Sequence, residues 1–427
     1  MKSTLIGVGV MLAATIGASL TAGCARMRPG PAPAPAFSHD VTQFGANGDG
    51  TTDDTTAFTA AFKAAAEAGG IVRVPAGNYL IKTHLTIPEF VTLEGVWTAP
   101  PVGPEKRGST LLAVEGKGDK DGTPFITMCR GSTLKGISIF YPEQIDENPP
   151  IPYPWTVRAA AEGSDNCSIV NVLMVNPYQA VDFGTNPAGR HYIKGLYAQA
   201  LYRGLFIDNC FDVGRVEDVH FWPFWRISDK LRAFSEAEAE AFVIGRTDWE
   251  FMTNCFCIFY KVGFHFIKGK HGPGNVLLTQ CGSDVGPCAV KIDEIMKHAG
   301  VSFVNGQFMA GIEVDEKNEG PLKFTGCGFW PIKQTASHAV LKGKGQVTFD
   351  NCHFSEWDKR KEGVPCINAD CEGITITGCD FMQAGKNQIS LGSNVKSAII
   401  VANRLRGGNR ITNQSKGSVQ IGLNSEQ

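Results

Sequence analysis

From Val276 onward the chain repeats itself. Short β-rich runs recur as Val276-Leu277-Leu278-Thr279-Gln280-Cys281, Val301-Ser302-Phe303-Val304-Asn305-Gly306, Leu322-Lys323-Phe324-Thr325-Gly326-Cys327, Val347-Thr348-Phe349-Asp350-Asn351-Cys352, Ile374-Thr375-Ile376-Thr377-Gly378-Cys379 and Ala398-Ile399-Ile400-Val401-Ala402-Asn403. Their last residues are separated by 25, 21, 25, 27 and 24 positions. A period in that range matches one coil of a β-helix, in which each coil buries its inner face on its neighbours. Alternation within each run puts every second residue inside. Earlier runs, from Leu134-Lys135-Gly136-Ile137 through Ser168-Ile169-Val170-Asn171 and Tyr192-Ile193-Lys194 to Val216-Glu217-Asp218-Val219, continue the pattern less regularly. A stack of coils escapes the size ceiling of a single globular core, so residues 39–427 are expected to form one elongated all-β domain.

The repeat places Cys281, Cys327, Cys352 and Cys379 at equivalent coil positions, where like residues on rungs about 4.8 Å apart stack into a ladder. They are read as small buried apolar residues, with disulfides between rungs as the alternative for an exported chain. Cys366 and Cys371, and Cys255 with Cys257, suggest zinc, but no Cys-x-x-Cys or histidine pair accompanies them, and no metal site is assigned.

Ahead of the coils, Asp40 to Ile81 contains a turn rich in Gly and Asp, an alanine-rich run, Gly69-Gly70, and Val72-Arg73-Val74-Pro75-Ala76-Gly77-Asn78-Tyr79. Thr52 or Asp53 caps a helix expected over Asp54 to Ala68, with Asp54 in its first turn suiting the helix dipole. Phe58, Ala61, Phe62 and Ala65 share one face, which must cover something apolar. The order of turn, helix and "Val-Pro-Ala-Gly-Asn-Tyr" resembles the opening of the pectate-lyase-like right-handed β-helix families, among them polygalacturonases, rhamnogalacturonases, alginate epimerases and phage tailspike enzymes. The resemblance implies a single-stranded right-handed parallel β-helix with an N-terminal capping helix, acting on polysaccharide. It does not carry catalytic residues across. Polygalacturonases have Asn-x-Asp, Asp-Asp, Gly-His-Gly and Arg-x-Lys in order; here the one Asp-Asp is Asp53-Asp54 in the turn, and the nearest counterpart of Gly-His-Gly is Lys270-His271-Gly272. The Asp-Pro-His-Glu signature of alginate epimerases is missing too.

Residues 1–23 read as a lipoprotein-type signal: Lys2, an apolar stretch from Leu5 to Leu20, then Thr21-Ala22-Gly23 before Cys24, the expected lipidation site. Residues 24–38 form a Pro/Ala-rich linker that lifts the folded part off the membrane. The expected address is the outer membrane or cell surface, with the periplasm or secretion as alternatives, and the membrane contact is through the lipid alone. Forty basic and 42 acidic residues leave a net charge of −2, so no global charge argues for nucleic acid.

The middle third carries the expected site. His220-Phe221-Trp222-Pro223-Phe224-Trp225-Arg226 is rich in aromatics, which stack on the C–H faces of sugars. Ser235 to Phe242 reads as a short charged helix inserted between coils, and Arg246, Asp248 and Glu250 follow it, expected to share the outward face of one strand. Lys270, His271 and Asp284 come from the next coils. Asp248, Glu250 and Asp284 are the candidate catalytic acids; His220, Trp222, Trp225, Arg246, Lys270 and His271 are the candidate substrate-binding residues. A hydrolase needs a carboxylic acid and a carboxylate. Elimination from a uronate needs a cation or a metal, calcium in the case of a lyase, and a base; no other cofactor is expected. The expected function is cleavage of an acidic glycan by either route, with Asp248 and Glu250 favouring hydrolysis, and a non-catalytic glycan-binding or cell-surface β-helix as the alternative. His353, Glu356, Trp357 and Asp358 form a second candidate cluster.

Overall fold

The computed structural model describes residues 37–426 apart from 68, 101–107 and 333–335. The signal segment, Cys24 and the linker as far as residue 36 lie outside the described residues. The folded part starts with the strand Ser38–Asp40, so Ser38, assigned above to the linker, already pairs with Ile71.

Each coil lays a strand on each of three faces. Val276–Thr279, Gly282–Ser283 and Cys288–Ile292 make one coil, and Val301–Val304, Gln307–Phe308 and Gly311–Val314 continue it in parallel register. The first and second faces merge into a sheet of 27 strands, and the third is a sheet of 13. The chain is a right-handed parallel β-helix. Among the described residues one pairing is antiparallel, the hairpin Lys268–Gly269 with Gly272–Pro273, which projects between the third and first faces.

The corner between the first and second faces explains the repeated Asn/Gly-Cys motif. Asn254, Gln280, Asn305, Gly326, Asn351 and Gly378 all hold φ between 53° and 64°, a left-handed conformation that Gly and Asn reach most readily. One such residue turns the chain sharply and drops the next side chain into the core. That next residue is Cys255, Cys281, Gly306, Cys327, Cys352 and Cys379 in turn, and each of these thiols is buried. All twelve described cysteines are free. Beside them runs a phenylalanine ladder: Phe303, Phe324 and Phe349 stack at 5.1 and 5.2 Å, and Phe308, Phe329, Phe354 and Phe381 at 5.4, 4.9 and 5.0 Å.

Helix α1 spans Thr55–Ala66, shorter than expected, and buries Phe58, Ala61, Phe62 and Ala65 against the first coils. Its N-cap position is Asp54, which makes no side-chain cap bond; Asp53, one residue ahead, and not Thr52, accepts from the Thr55 amide at 3.1 Å. Asp54 does a different task from the one expected: almost fully buried, it accepts from the Asn47 and Gly48 amides at 2.7 and 3.1 Å and closes the Gly-rich turn. Helix α2 spans Asp229–Glu238, displaced toward the N-terminus from the expected Ser235 to Phe242. Ser228 caps it, and Glu240–Ile244 is already a strand of the third face, because Phe242 and Ile244 alternate into the core.

Candidate functional site

The expected site residues divide among four places. His220, Trp222 and Trp225 lie where the second face turns into the third, beside α2. His220 sits among Phe256, Phe224, Trp222 and Tyr197 with ring centroids 5.1 to 6.2 Å away, and its buried Nε2 has no partner; burial pushes the imidazole down from its ordinary value. Trp225 is 8% exposed and packs as a plug, a correction to its expected role in binding. Half-buried Trp222 lines a cleft of about 510 Å³, open mouth included, together with Arg226, Ile227, Arg232 and Phe259.

Asp284 ends a strand of the second face, two coils below Trp222 and two above Trp330 in register. Its Oδ1 accepts from the Val285 amide at 2.6 Å. It therefore does not join Asp248, which is on a different corner.

Arg246 and Asp248 pair at the corner between the third and first faces, and the hairpin that carries Lys270 and His271 at its tip projects from the same corner. Residues 245–249 form a turn, not a strand, and this overturns the expected common face of Arg246, Asp248 and Glu250. Trp249 is the reason. Its φ of 60° resets the side-chain alternation, so that Glu250 points inward. Glu250 is 1% exposed and accepts from Nε2 of fully buried His191 at 2.9 Å, while His191 Nδ1 donates to the Ala188 carbonyl. An inward carboxylate is tolerated because it is paired. Glu250 is thus a core residue and not a catalytic one.

Outside, Arg246 Nη2 pairs with Asp248 Oδ1 at 2.8 Å, Nη1 reaches the Pro273 carbonyl at 3.4 Å, and the guanidinium lies 5.6 Å from the Phe211 ring. Phe211 is 44% exposed and Trp249 62%. The same corner position is Gly69, Phe90, Gly131, Asn166, Arg190 and Gly300 on other coils, all left-handed. A tryptophan held in this conformation is strained, as Phe90 and Arg190 are on their coils, so the strain belongs to the corner turn and does not mark out one coil. Next to it stands the hairpin, with Lys270 and His271 exposed at its tip. Its root is fixed: Lys268 pairs with Glu294 at 3.1 Å, and Gly269 lies so close over the buried Asp208 carboxylate that a Cβ would clash. Neither Phe211 nor Trp249 was singled out from the sequence, because their exposure follows from coil register, which no local motif reports.

A third group, also unread in the sequence, crosses the third face. His265 donates from Nδ1 to Glu240 at 2.9 Å and from Nε2 to Asp293 at 3.0 Å, and Arg203 pairs with Glu240 at 2.6 Å. The cluster at His353 is structural: Trp357 is fully buried, and Asp358 accepts from the Glu362 and Gly363 amides inside its own loop. Among the described residues no group of three or more His, Cys, Asp or Glu is placed to hold a metal ion.

Residues 38–124 match the family described as rhamnogalacturonase A/epimerase, pectate lyase-like. The fold is the pectate-lyase-like β-helix. Among solved structures, the N-terminal fragment of gene product 12 of bacteriophage Phi29 superposes with a TM-score of 0.61 at 14% identity, covering 91% of this chain and 70% of that one. The tailspike protein double mutant of E. coli bacteriophage HK620 gives 0.53 at 11% identity, covering 91% and 78%. Over 56 residues the chain is 48% identical to the non-secreted LysM effector LysM19 of Penicillium expansum. That stretch is 13% of this chain, and it spans only 4% of the LysM protein's length.

Proposed function

We propose that this pectate-lyase-like β-helix acts on an acidic, uronate-containing polysaccharide, held at the corner between the third and first faces. The carrying observation is the exposed Trp249 on the same turn as Arg246, whose guanidinium lies 5.6 Å from the exposed Phe211 ring and reaches the root of the hairpin that bears Lys270 and His271. An indole offers the apolar face that a sugar ring needs, and the cations beside it suit a carboxylate-bearing sugar. The family matched by residues 38–124 is named for pectic-polysaccharide and epimerase activities, which supports a glycan.

Of the two cleavage chemistries, β-elimination fits this corner better. Hydrolysis asks for two outward carboxylates, and Glu250 faces the core. In elimination a base takes the proton beside the sugar carboxylate, a carbon–carbon double bond forms, and the glycosidic C–O bond breaks, its oxygen taking a proton from solvent. Arg246 and Lys270 are the cations on hand and His271 the base. A second reading, recognition without cleavage, is favoured by one observation: Asp248 is paired with Arg246 and not poised as a free acid or base.

The test is a panel of pectic and alginate polysaccharides beside a neutral glucan. Ultraviolet absorbance of unsaturated uronates supports elimination, reducing ends without it indicate hydrolysis, and binding without either leaves recognition alone. Trp249→Ala should weaken binding about tenfold or more, in line with a central aromatic contact. Failure to bind any acidic member overturns the proposal. We further propose export with a lipid on Cys24, which mass spectrometry of the membrane-extracted protein checks.

A further inference from the structure

We infer that His265 is a pH-sensitive latch that fixes the Lys268–Pro273 hairpin, and with it the Lys270–His271 tip of the proposed glycan site. The latch spans three coils. Glu240 opens its strand directly after α2, His265 lies on the next coil, and Asp293 starts the loop on the coil after that. One imidazole with both nitrogens donating to carboxylates is a cation by construction, since a neutral ring has a single N–H to give.

The path from latch to hairpin is short. Asp293 begins a loop that holds the hairpin at its root, where Glu294 pairs with Lys268 at 3.1 Å and the Met296 amide donates to the carbonyl of Gly274 just past it at 2.9 Å, and Met296 Sδ also lies 3.9 Å from Arg246 Nη1. Arg246 in turn reaches the Pro273 carbonyl. The charged groups around the ring are Arg203 and Glu240 on the preceding coil, and Lys291 and Asp293 on the following one, with Lys291–Asp293 at 3.6 Å and Glu313 in register with Lys291 one coil beyond. Lys261 is exposed at the start of the strand that carries His265, near Val262, and so lies away from the ring.

Burial of His265 opposes its charge, but the hydrogen bonds it donates to Asp293 and Glu240 outweigh this and raise the imidazole above its ordinary value; the same contacts hold Asp293 below its own. A group raised on folding stabilises below its unfolded value and loses that contribution as pH climbs through the folded one. The latch is therefore closed below the ordinary histidine value and stays closed to a higher pH than an unpaired histidine would allow. Above the raised value the ring keeps one donor for two carboxylates, and Asp293, the more exposed partner at 38% against 15% for Glu240, is the one released.

The inference rests on the glycan reading only for its consequence, so the test is made without glycan. Amide hydrogen exchange of 267–275 and 293–296 is followed in the whole folded chain at about pH 6 and about pH 9, corrected for intrinsic rates, with first-face amides of the last coils as internal reference. Exchange in those two segments should speed up about tenfold or more at the higher pH. His265→Gln, neutral at both, should show the fast rate at both, while Trp249→Ala keeps the wild-type dependence. Direct titration of the His265 ring by NMR gives the second readout. A ring titrating at or below the ordinary histidine value, or a His265→Gln protein with unchanged exchange, overturns the latch. Loss of glycan binding with the latch intact overturns only the glycan reading.

Discussion

Trp249 and Glu250 are consecutive, yet one is among the most exposed large side chains and the other is sealed in the core. Strand alternation read from Ile244 onward makes Arg246, Asp248 and Glu250 neighbours on one face; a single left-handed residue shifts that phase, and nothing in the local sequence marks a tryptophan as the residue that adopts it. The pair that Glu250 forms is open to test. His191 is fully buried, which by itself disfavours its charge, but the Glu250 carboxylate holds it protonated well above the ordinary value. Glu250→Gln leaves that site without its counter-charge and should cost about 3–5 kcal/mol of stability in denaturant melts, with glycan binding by the folded protein unchanged. The pH sign follows from the raised histidine: its contribution is complete below about pH 6.5, the unfolded value, and declines as pH rises through the folded one. A Glu250→Gln protein as stable as wild type would mean that the pair is dispensable.

Among the elements, α1 was legible and α2 was not, and composition explains the difference. α1 shows an apolar face at helical spacing between a Gly-rich turn and two glycines, so existence, type and buried face all follow, with an error of a residue or two at its ends. α2 is short and mostly polar, and the Glu-Ala alternation after Ser235 resembles helix while Ala241, Phe242 and Ile244 belong to a strand. The consequence for α1 is structural. Phe58 meets Tyr79 edge to face at 5.5 Å, and the helix covers the end of the first coils. Deleting Thr55–Ala66 uncovers strand edges and apolar surface together, which invites edge-to-edge pairing. The deletion should give aggregated protein; a soluble monomer with an unchanged β-type circular dichroism spectrum would show that the cap is not needed.

At the scale of the whole molecule the repeat was readable because coil-to-coil stacking demands like residues at like positions, and the Asn/Gly-Cys corner states this plainly. Which outer residues meet was not readable, since loops of unequal length decide whether Asp248 and Asp284 share a corner, and they do not. The buried column also makes the thiols a gauge of global unfolding. Cys129 is the one described cysteine that is only partly buried; the other eleven are buried. Burial raises Cys257 and Cys371 to about 12, and at Cys352 the contact with Cys327 lowers the thiol while Cys379 and burial outweigh it and take it to about 12. Thiolate is the reactive form, so these groups combine low access with little thiolate at neutral pH. In protein lacking residues 1–36, which removes Cys24, a thiol reagent should modify Cys129 first and the other eleven only as the coils open. Because each coil leans on the next, those eleven should react in step with the loss of β-type circular dichroism across a denaturant series. Rapid native labelling at Cys327, Cys352 or Cys379 would show that the stack breathes coil by coil and that the column is not a packed core.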